Sequence, residues 1–124
     1  MLYTVNGLVE GARGVTIRLR VVAVDDPRAV KTRDGEPHRV VDVQVGDWTG
    51  MVMLSLWDEM VDLVNAGDLI DVENGYVNRF RGRLRLNVGR YGTVVRVDDP
   101  AFPSVDALKA RAGRNLFSIR PPRS

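Results

Sequence analysis

Apolar and polar residues alternate with a period of two in several segments of this chain. In the clearest segment, residues 14–24, Val15, Ile17 and Leu19 alternate with Thr16 and Arg18. This alternation is typical of a strand with one buried and one exposed face. Similar patterns predict strands over five segments: 14–24, 38–45, 51–57, 68–80 and 83–88. Residues 93–97 either extend the fifth strand or cross back over the sheet.

Turn residues separate these predicted strands. Asp25-Asp26-Pro27 ends the first strand, and Asp34-Gly35 indicates a turn in the polar stretch that follows. Residues 46–50 (GDWTG) predict a hairpin, and Arg81-Gly82 predicts a turn between the fourth and fifth strands. Asn74-Gly75 interrupts the fourth strand, which indicates a β-bulge there.

The helical signals are short. Residues 58–66 (DEMVDLVNA) predict a short helix between the third and fourth strands, with Asp58 as its cap and Val61 facing inward. Pro103-Ser104 begins a second predicted helix of about two turns, which ends at Gly113. The rest of the chain has no periodic pattern, and we expect it to fray.

This arrangement of elements predicts an all-β fold. Five strands with a short helix between the third and fourth are the layout of the OB-fold, a small Greek-key barrel. An immunoglobulin-like sandwich is the weaker alternative, because it needs about seven strands. We expect an OB-fold domain over residues 1–99 and a C-terminal extension, with the second helix, over 100–124.

Composition excludes several classes of function. The chain has no cysteine, which excludes thiol catalysis and disulfide frameworks, and His38 is its single histidine. A zinc site, a cofactor site and a catalytic triad are therefore not expected, and we predict a protein that is not an enzyme. The sequence shows neither a signal peptide nor an apolar stretch long enough to span a membrane. An intracellular, cytoplasmic location is the expectation.

Charge is sorted by segment, although the net charge is only +2. Residues 58–75 carry six carboxylates and no basic residue. Residues 74–92 carry five arginines and three aromatic residues, with no carboxylate. Arginine neutralises phosphate and an aromatic ring stacks on any base, so this segment favours binding to single-stranded nucleic acid.

Three aromatic residues are the candidate base platforms. If the aliphatic side of the third strand is core, Trp57 points outward at its end, near Tyr76 and Phe80 of the fourth strand. Stacking of a base on a ring contributes roughly 1–3 kcal/mol. Lys31 and Arg33, in the loop after the first strand, are expected to close over the nucleic acid as a flexible basic flap. The candidate residues on the hairpin that contains the fifth strand are Arg79, Arg81, Arg83, Arg85, Asn87 and Arg90.

Each candidate also has a plain structural interpretation. A tryptophan at a strand end is often a lid on the core. Tyr76 follows a glycine and could cover the bulge, and Phe80 could cap the barrel beside its turn. Outward arginines on a hairpin are often a solvated face, or they prevent pairing at a sheet edge. The lack of any carboxylate among the five arginines favours the binding interpretation, because solvated faces usually mix charges.

The sequence resembles a family of single-stranded DNA-binding proteins that have one OB-fold, found in archaea and related to a subunit of the human sensor-of-single-stranded-DNA complex. The resemblance covers roughly residues 14–97. It is carried by KTRDG (31–35), the TG of GDWTG (49–50), LSLWDE (54–59), AGDLIDVENGY (66–76) and FRGRLRLNVGR (80–90). Some family members have a further aromatic residue where this chain has Asn87.

The resemblance implies a binder of single-stranded DNA. The aromatic residues at the positions of Trp57, Tyr76 and Phe80 would stack on bases, and basic residues would contact the backbone. It further implies a monomer that is associated with the nucleoid and has replication or repair proteins as partners. An RNA- or tRNA-binding module and a protein-interaction adapter remain alternatives, because this fold serves all three functions.

Overall fold

The computed structural model describes the backbone of residues 2–119 and the side chains of residues 2–113. This part of the chain forms eight strands and one α-helix. The elements are β1 (Leu2–Tyr3), β2 (Val15–Val24), β3 (Arg28–Lys31), β4 (Pro37–Asp47), β5 (Gly50–Trp57), β6 (Leu69–Phe80), β7 (Arg83–Val88), β8 (Thr93–Val97) and α1 (Val105–Ile119). Two 3-10 turns, Val5–Gly7 and Asp58–Met60, lie between them.

The strand pairings return to the strand from which they start. β2 pairs with β4, β4 with β5, β5 with β7, β7 with β6, and β6 again with β2. The β5–β7 pairing is parallel and the other four are antiparallel. These five strands therefore form a barrel, as the sequence predicted.

The barrel interior is aliphatic. The alternation seen in the sequence places one side of each barrel strand inward, where the side chains lose contact with water. The inward side chains that are fully buried are Val15, Ile17, Leu19, Val21, Val41, Val43, Val45, Leu54, Leu56, Ile70, Val72, Leu86 and Val88. The opposite sides of β4, β5, β6 and β7 face outward and carry the candidate site.

β8 continues the line of β7. Both strands are antiparallel to β6, with β7 beside its C-terminal half (Phe80↔Arg83) and β8 beside its N-terminal half (Leu69↔Val97). Of the two alternatives for residues 93–97, extension of the fifth strand is the one observed.

The bulge and the hairpin turn are confirmed. Between Val72 and Gly75, β6 has one residue more than the facing segment of β2, and Asn74 has a φ of 58°. Arg81 and Gly82 join β6 to β7 with φ values of 52° and 81°. Positive φ at both central residues is the geometry of the two-residue turn that suits the twist of a hairpin.

The helix predicted over residues 58–66 is wrong in extent. Only the 3-10 turn Asp58–Met60 forms, and the bonds that follow, such as Leu63 N–H to the Met60 carbonyl (3.1 Å), are again of the three-residue type. Asp58 has a φ of 55° and its carboxylate does not cap the turn. Val61 and Val64 do face inward, as expected.

The loop that carries Lys31 and Arg33 also differs from the prediction. Residues 28–31 form strand β3, which pairs with β4 from Arg28↔Val40 to Lys31↔Pro37. The connecting turn is closed by a hydrogen bond from Thr32 N–H to the Glu36 carbonyl (3.2 Å). The predicted flap is therefore a β-hairpin on the edge of β4.

The C-terminal helix is longer than predicted. It begins after Ser104, whose hydroxyl accepts a hydrogen bond from Ala107 N–H (3.2 Å), and extends to Ile119 instead of ending at Gly113. Arg20 on β2 donates to the Pro103 carbonyl (2.9 Å), and the buried Leu108 lies against β4 at Gly46. Fraying was predicted from residue 114 onward, but residues 114–119 belong to the helix, and residues 120–124 lie outside the described residues. Within residues 2–119, no helix is both long and apolar enough to cross a membrane.

Candidate nucleic-acid interface

Four strands present their polar side on one continuous outer face, which we call the β4–β7 face. Its rows follow from the pairing register. Tyr76, Asn87, Ser55 and Asp42 are neighbours across the four strands, and Asn78, Arg85, Met53 and Gln44 form the next row. Phe80 and Arg83 continue the face at one end, and Trp57 and Val40 continue it at the other.

The three predicted base platforms all lie on this face. Tyr76 and Phe80 are 39% and 45% exposed, so both rings are accessible from solvent. Trp57 is half-buried. The ring of Tyr76 extends over Gly89, where an added Cβ would lie 3.7 Å from Tyr76 Cε1. None of the three rings fills the barrel interior.

Trp57 lies against β4 at the start of that strand. It is paired with Val40, and the ring of His38 meets the indole edge-on, with 6.2 Å between the ring centroids. His38 Nδ1 in turn lies 2.9 Å from Asp58 Oδ2. The indole Nε1–H is buried and has no hydrogen-bond acceptor among the described residues. A buried donor without a partner costs about 1–3 kcal/mol, so this position of the indole is held by the packing of the ring and not by its N–H.

Two guanidinium groups lie over the ring of Phe80. Arg85 Cζ is 4.9 Å from the ring centroid, and Arg81 Cζ is 5.2 Å from it. Contacts of this kind contribute about 0.5–1 kcal/mol at exposed sites. The ring and the two cations thus form one unit that offers both stacking and positive charge.

An acidic residue from β4 enters this basic face. Asp42 Oδ1 lies 2.6 Å from Arg85 Nη1, and Asp42 Oδ2 lies 2.8 Å from Arg28 Nη1. The hydroxyl of Ser55 donates to the same carboxylate (3.3 Å) and accepts from Arg85 (3.1 Å). Sequence reasoning missed Asp42 and Arg28, although Asp42 was on the polar side of its predicted strand.

The five arginines of residues 74–92 are not equivalent. Arg79 points to the side of β6 opposite Phe80, where it pairs with Glu10 (3.1 Å) and donates to the Gly82 carbonyl (3.0 Å). Arg81, Arg83 and Arg90 are exposed and form no ion pair within residues 2–113. These three cations are therefore free to meet a phosphate, whereas Arg79 is held by a carboxylate.

Asn87, a predicted contact residue of the hairpin, is buried. Asn87 is only 3% exposed, and its amide donates to Asn78 Oδ1 (3.1 Å) and to the Arg85 carbonyl (3.2 Å). It does lie on the outer side of β7, but its neighbours on either side, Tyr76 and Ser55, leave little of it open to water. Its observed contacts support Asn78 and the backbone of β7.

Lys31 and Arg33 lie at the far end of the β3–β4 hairpin. Both are exposed, and neither forms an ion pair in the described part of the chain. Arg28, on the same hairpin, is paired with Asp42 on the face itself. The hairpin therefore adds basic residues to the edge of the β4–β7 face beyond Val40.

A groove of about 920 Å³ runs along the Phe80 end of this face. Its apolar lining includes Leu8, Val52 and Leu84. Its cationic lining is Arg28, Arg81, Arg83 and Arg85, and Asp42 is its carboxylate. A groove with both apolar and cationic lining fits a strand of bases linked by phosphates.

Residues 8–96 match the family described as single-stranded DNA binding protein Ssb-like, OB fold. The chain is 27% identical over 99 residues to the single-stranded DNA binding protein Ssb of Saccharolobus solfataricus, covering 80% of this chain and 66% of that protein. It is 32% identical over 121 residues to replication factor A of Methanothermobacter thermautotrophicus, covering 88% of this chain and 15% of that protein. The chain thus spans less than two thirds of each of these relatives.

Solved structures show the same fold. The second OB-fold domain of replication protein A from Methanococcus maripaludis superposes with a TM-score of 0.69 at 26% identity. That match covers 80% of this chain and 97% of the other. The OB-fold predicted from the strand pattern is therefore confirmed.

Proposed function

The chain belongs to the Ssb-like family of OB-fold, single-stranded DNA binding proteins, and we propose that it binds single-stranded DNA with little sequence preference. The observation that carries this proposal is the display of Tyr76 and Phe80 on the β4–β7 face beside unpaired arginines. Two rings that are about two-fifths exposed and lie beside cations supply both parts of a single-strand binding surface, stacking and phosphate neutralisation.

Base stacking supplies the sequence-tolerant part of binding. Trp57, Tyr76 and Phe80 each offer a ring to one base, and every base has a flat face to stack. Phe80 keeps Arg81 and Arg85 at its side, so a base stacked there brings its phosphate close to a cation.

Phosphate neutralisation supplies the salt-dependent part. Arg81, Arg83 and Arg90 contact phosphates directly because they form no ion pair among the described residues. Arg28 and Arg85 must exchange Asp42 for a phosphate, or share it, before they contribute fully. Lys31 and Arg33 extend the basic track along the hairpin, and Arg79 contributes least because Glu10 holds it.

The biological role that follows is protection of exposed single strands. A non-catalytic binder of this kind coats DNA at the nucleoid during replication, recombination or repair. We expect a monomer, since the described face is complete within one chain. Replication or repair proteins would bind it through surfaces outside the β4–β7 face.

A competition assay tests the proposal. A labelled dT oligonucleotide is competed with single-stranded DNA, RNA and duplex DNA of matched length and sequence, at two salt concentrations. Single-stranded DNA should compete best, and affinity should fall as salt rises because bound counterions are released. Preference for the duplex would overturn the proposal, and preference for RNA would reassign the site to RNA.

A double variant, Arg83→Ala with Arg85→Ala, tests the protein-interaction adapter. Unchanged affinity of this variant for the oligonucleotide would favour the adapter.

A further inference from the structure

The turn between β7 and β8 presents an aromatic ring that the three-platform site does not use. Tyr91 is 80% exposed, the highest value among the large hydrophobic side chains of the described residues. Arg90 Cζ lies 5.9 Å from the centroid of its ring. Ring and guanidinium thus repeat, on a smaller scale, the arrangement of Phe80 with its arginines.

The backbone beneath Tyr91 is fixed. Asn74, on the bulge of β6, donates its side-chain amide to the Tyr91 carbonyl (3.0 Å). Gly92 N–H donates to the Gly89 carbonyl (3.1 Å), which closes the turn. Gly92 is buried so closely against β6 that an added Cβ would lie 3.1 Å from the carbonyl oxygens of Glu73 and Asn74. The ring is therefore held out from a fixed turn.

A recess of about 240 Å³ joins this turn to the β4–β7 face. Its lining includes Arg13, Asn74, Tyr76, Gly89, Arg90 and Tyr91. No carboxylate is among the described residues that line it. Tyr76 belongs both to this recess and to the row that contains Asn87, so the recess is the next space along the face beyond Tyr76.

We propose that Tyr91, Arg13 and Arg90 form an additional nucleotide position, which extends the bound strand beyond Tyr76. Tyr91 stacks on the base, and the two arginines neutralise the phosphate that links it to the nucleotide on Tyr76. This inference rests on the proposed function, because the occupant is the next nucleotide of the same strand. The rings of β6 and of the β7–β8 turn then follow the order Phe80, Tyr76 and Tyr91, and Trp57 lies on β5 at the end of the face away from Phe80.

A length series tests this additional position. Affinities of the full chain and of Tyr91→Ala are measured for dT oligonucleotides of about 4 to 16 nucleotides, the range of site sizes of OB-folds. Tyr91→Ala should bind the shortest oligonucleotides as the wild type does and lose about 5-fold or more on long ones. Tyr91→Phe keeps the ring and should restore affinity. Arg13→Ala should reduce the slope of log affinity against log salt for long oligonucleotides and leave it unchanged for the shortest ones. Arg96→Ala is the control: Arg96 lines a different recess, and its removal should leave this slope unchanged at every length.

The possible outcomes distinguish failure of the additional nucleotide position from failure of the proposed single-stranded DNA binding. If the wild type binds and Phe80→Ala weakens binding while Tyr91→Ala matches the wild type at every length, the additional position is refuted and the proposed function stands. An equal loss at every length would also refute it, because Tyr91 would then act within the three-platform site. Failure of the wild type to bind any oligonucleotide would refute the proposed function itself. Thermal unfolding of each variant confirms that the barrel is intact.

Discussion

The guanidinium of Arg85 lies over the ring of Phe80, with Cζ 4.9 Å from the ring centroid. The same guanidinium also forms an ion pair with Asp42, whose Oδ1 lies 2.6 Å from Nη1. Asp42 therefore decides two properties of the site together: where the cation lies relative to the stacking ring, and how much positive charge it offers to a phosphate.

Replacement of Asp42 by Asn should increase affinity for single-stranded DNA. The carboxylate offsets the charge of Arg28 and Arg85, and its removal leaves both guanidiniums available for phosphate. The slope of log affinity against log salt should steepen by about 0.7 for each of the two guanidiniums that gains a phosphate contact. Asp98→Asn is the control, because it also removes one exposed carboxylate but from the recess that contains Arg96, which is not part of the β4–β7 face. A loss of affinity in a folded Asp42→Asn protein would show instead that Asp42 positions Arg85 for binding.

Truncation of the three rings should weaken binding by similar amounts. Trp57→Ala, Tyr76→Ala and Phe80→Ala should each cost about 1–3 kcal/mol of binding free energy, measured by titration with dT oligonucleotides. Tyr76 and Phe80 are well exposed, so their variants should unfold near the wild-type temperature. Unchanged affinity in all three folded variants would remove the rings from the site.

Intrinsic fluorescence distinguishes the two tryptophans. Trp57 lies on the β4–β7 face, whereas Trp48 lies on the turn between β4 and β5, 49% exposed. Stacking of a base on Trp57 should quench emission as dT oligonucleotides are added. The quench should survive Trp48→Phe and disappear in Trp57→Phe. Loss of the quench in Trp48→Phe would show that the nucleic acid contacts Trp48, and would contradict stacking on Trp57.

The strands and the rings were predictable because both depend on local pattern. Alternation over residues 14–24 fixes which side of β2 is buried, and the same rule places Tyr76 and Phe80 on one side of β6. The turn at Arg81-Gly82 was predictable for the same reason, since two-residue hairpins need positive φ.

What the sequence missed depends on contacts between distant strands. Asp42 and Arg85 are 43 positions apart and meet only because β5 lies between β4 and β7. Asn87 is covered by its neighbours on β5 and β6, which its own strand pattern does not reveal. The segment after Trp57 has enough apolar spacing for a helix, but Asp58 turns the chain at positive φ and only 3-10 bonds follow.

The contact between His38 and Asp58 predicts a change of stability with pH. Hydrogen bonds from His38 and from Arg39 N–H lower the pKa of Asp58 below its ordinary value of 3.8. A carboxyl whose pKa is lower in the folded state stabilises the fold above its unfolded pKa, and this stabilisation is lost as pH falls through the folded pKa. Asp58→Asn keeps a residue that tolerates positive φ but removes the charge. Its deficit in free energy of unfolding should therefore be larger at about pH 5 than at about pH 2.

Chemical denaturation at the two pH values measures this deficit. Glu59→Gln, at the neighbouring exposed carboxylate, is the control. The difference in free energy of unfolding between Glu59→Gln and the wild type should be the same at both pH values. A deficit for Asp58→Asn that is equal at both pH values would mean that the carboxylate's charge does not contribute to the contact.

Two glycines of the β7–β8 turn should respond very differently to alanine. A Cβ on Gly92 would lie 2.8 Å from Val88 Cγ1, in the fully buried core, and 3.1 Å from two carbonyl oxygens of β6, so a rigid neighbour must move. A Cβ on Gly89 meets only the Tyr76 ring, at an ordinary 3.7 Å. Gly92→Ala should lower the free energy of unfolding by about 1–3 kcal/mol, the usual cost of overpacking, whereas Gly89→Ala should leave it nearly unchanged. Urea denaturation measures both, and equal stabilities would mean that the turn moves away from β6 freely, which would also remove the fixed backbone on which Tyr91 is displayed.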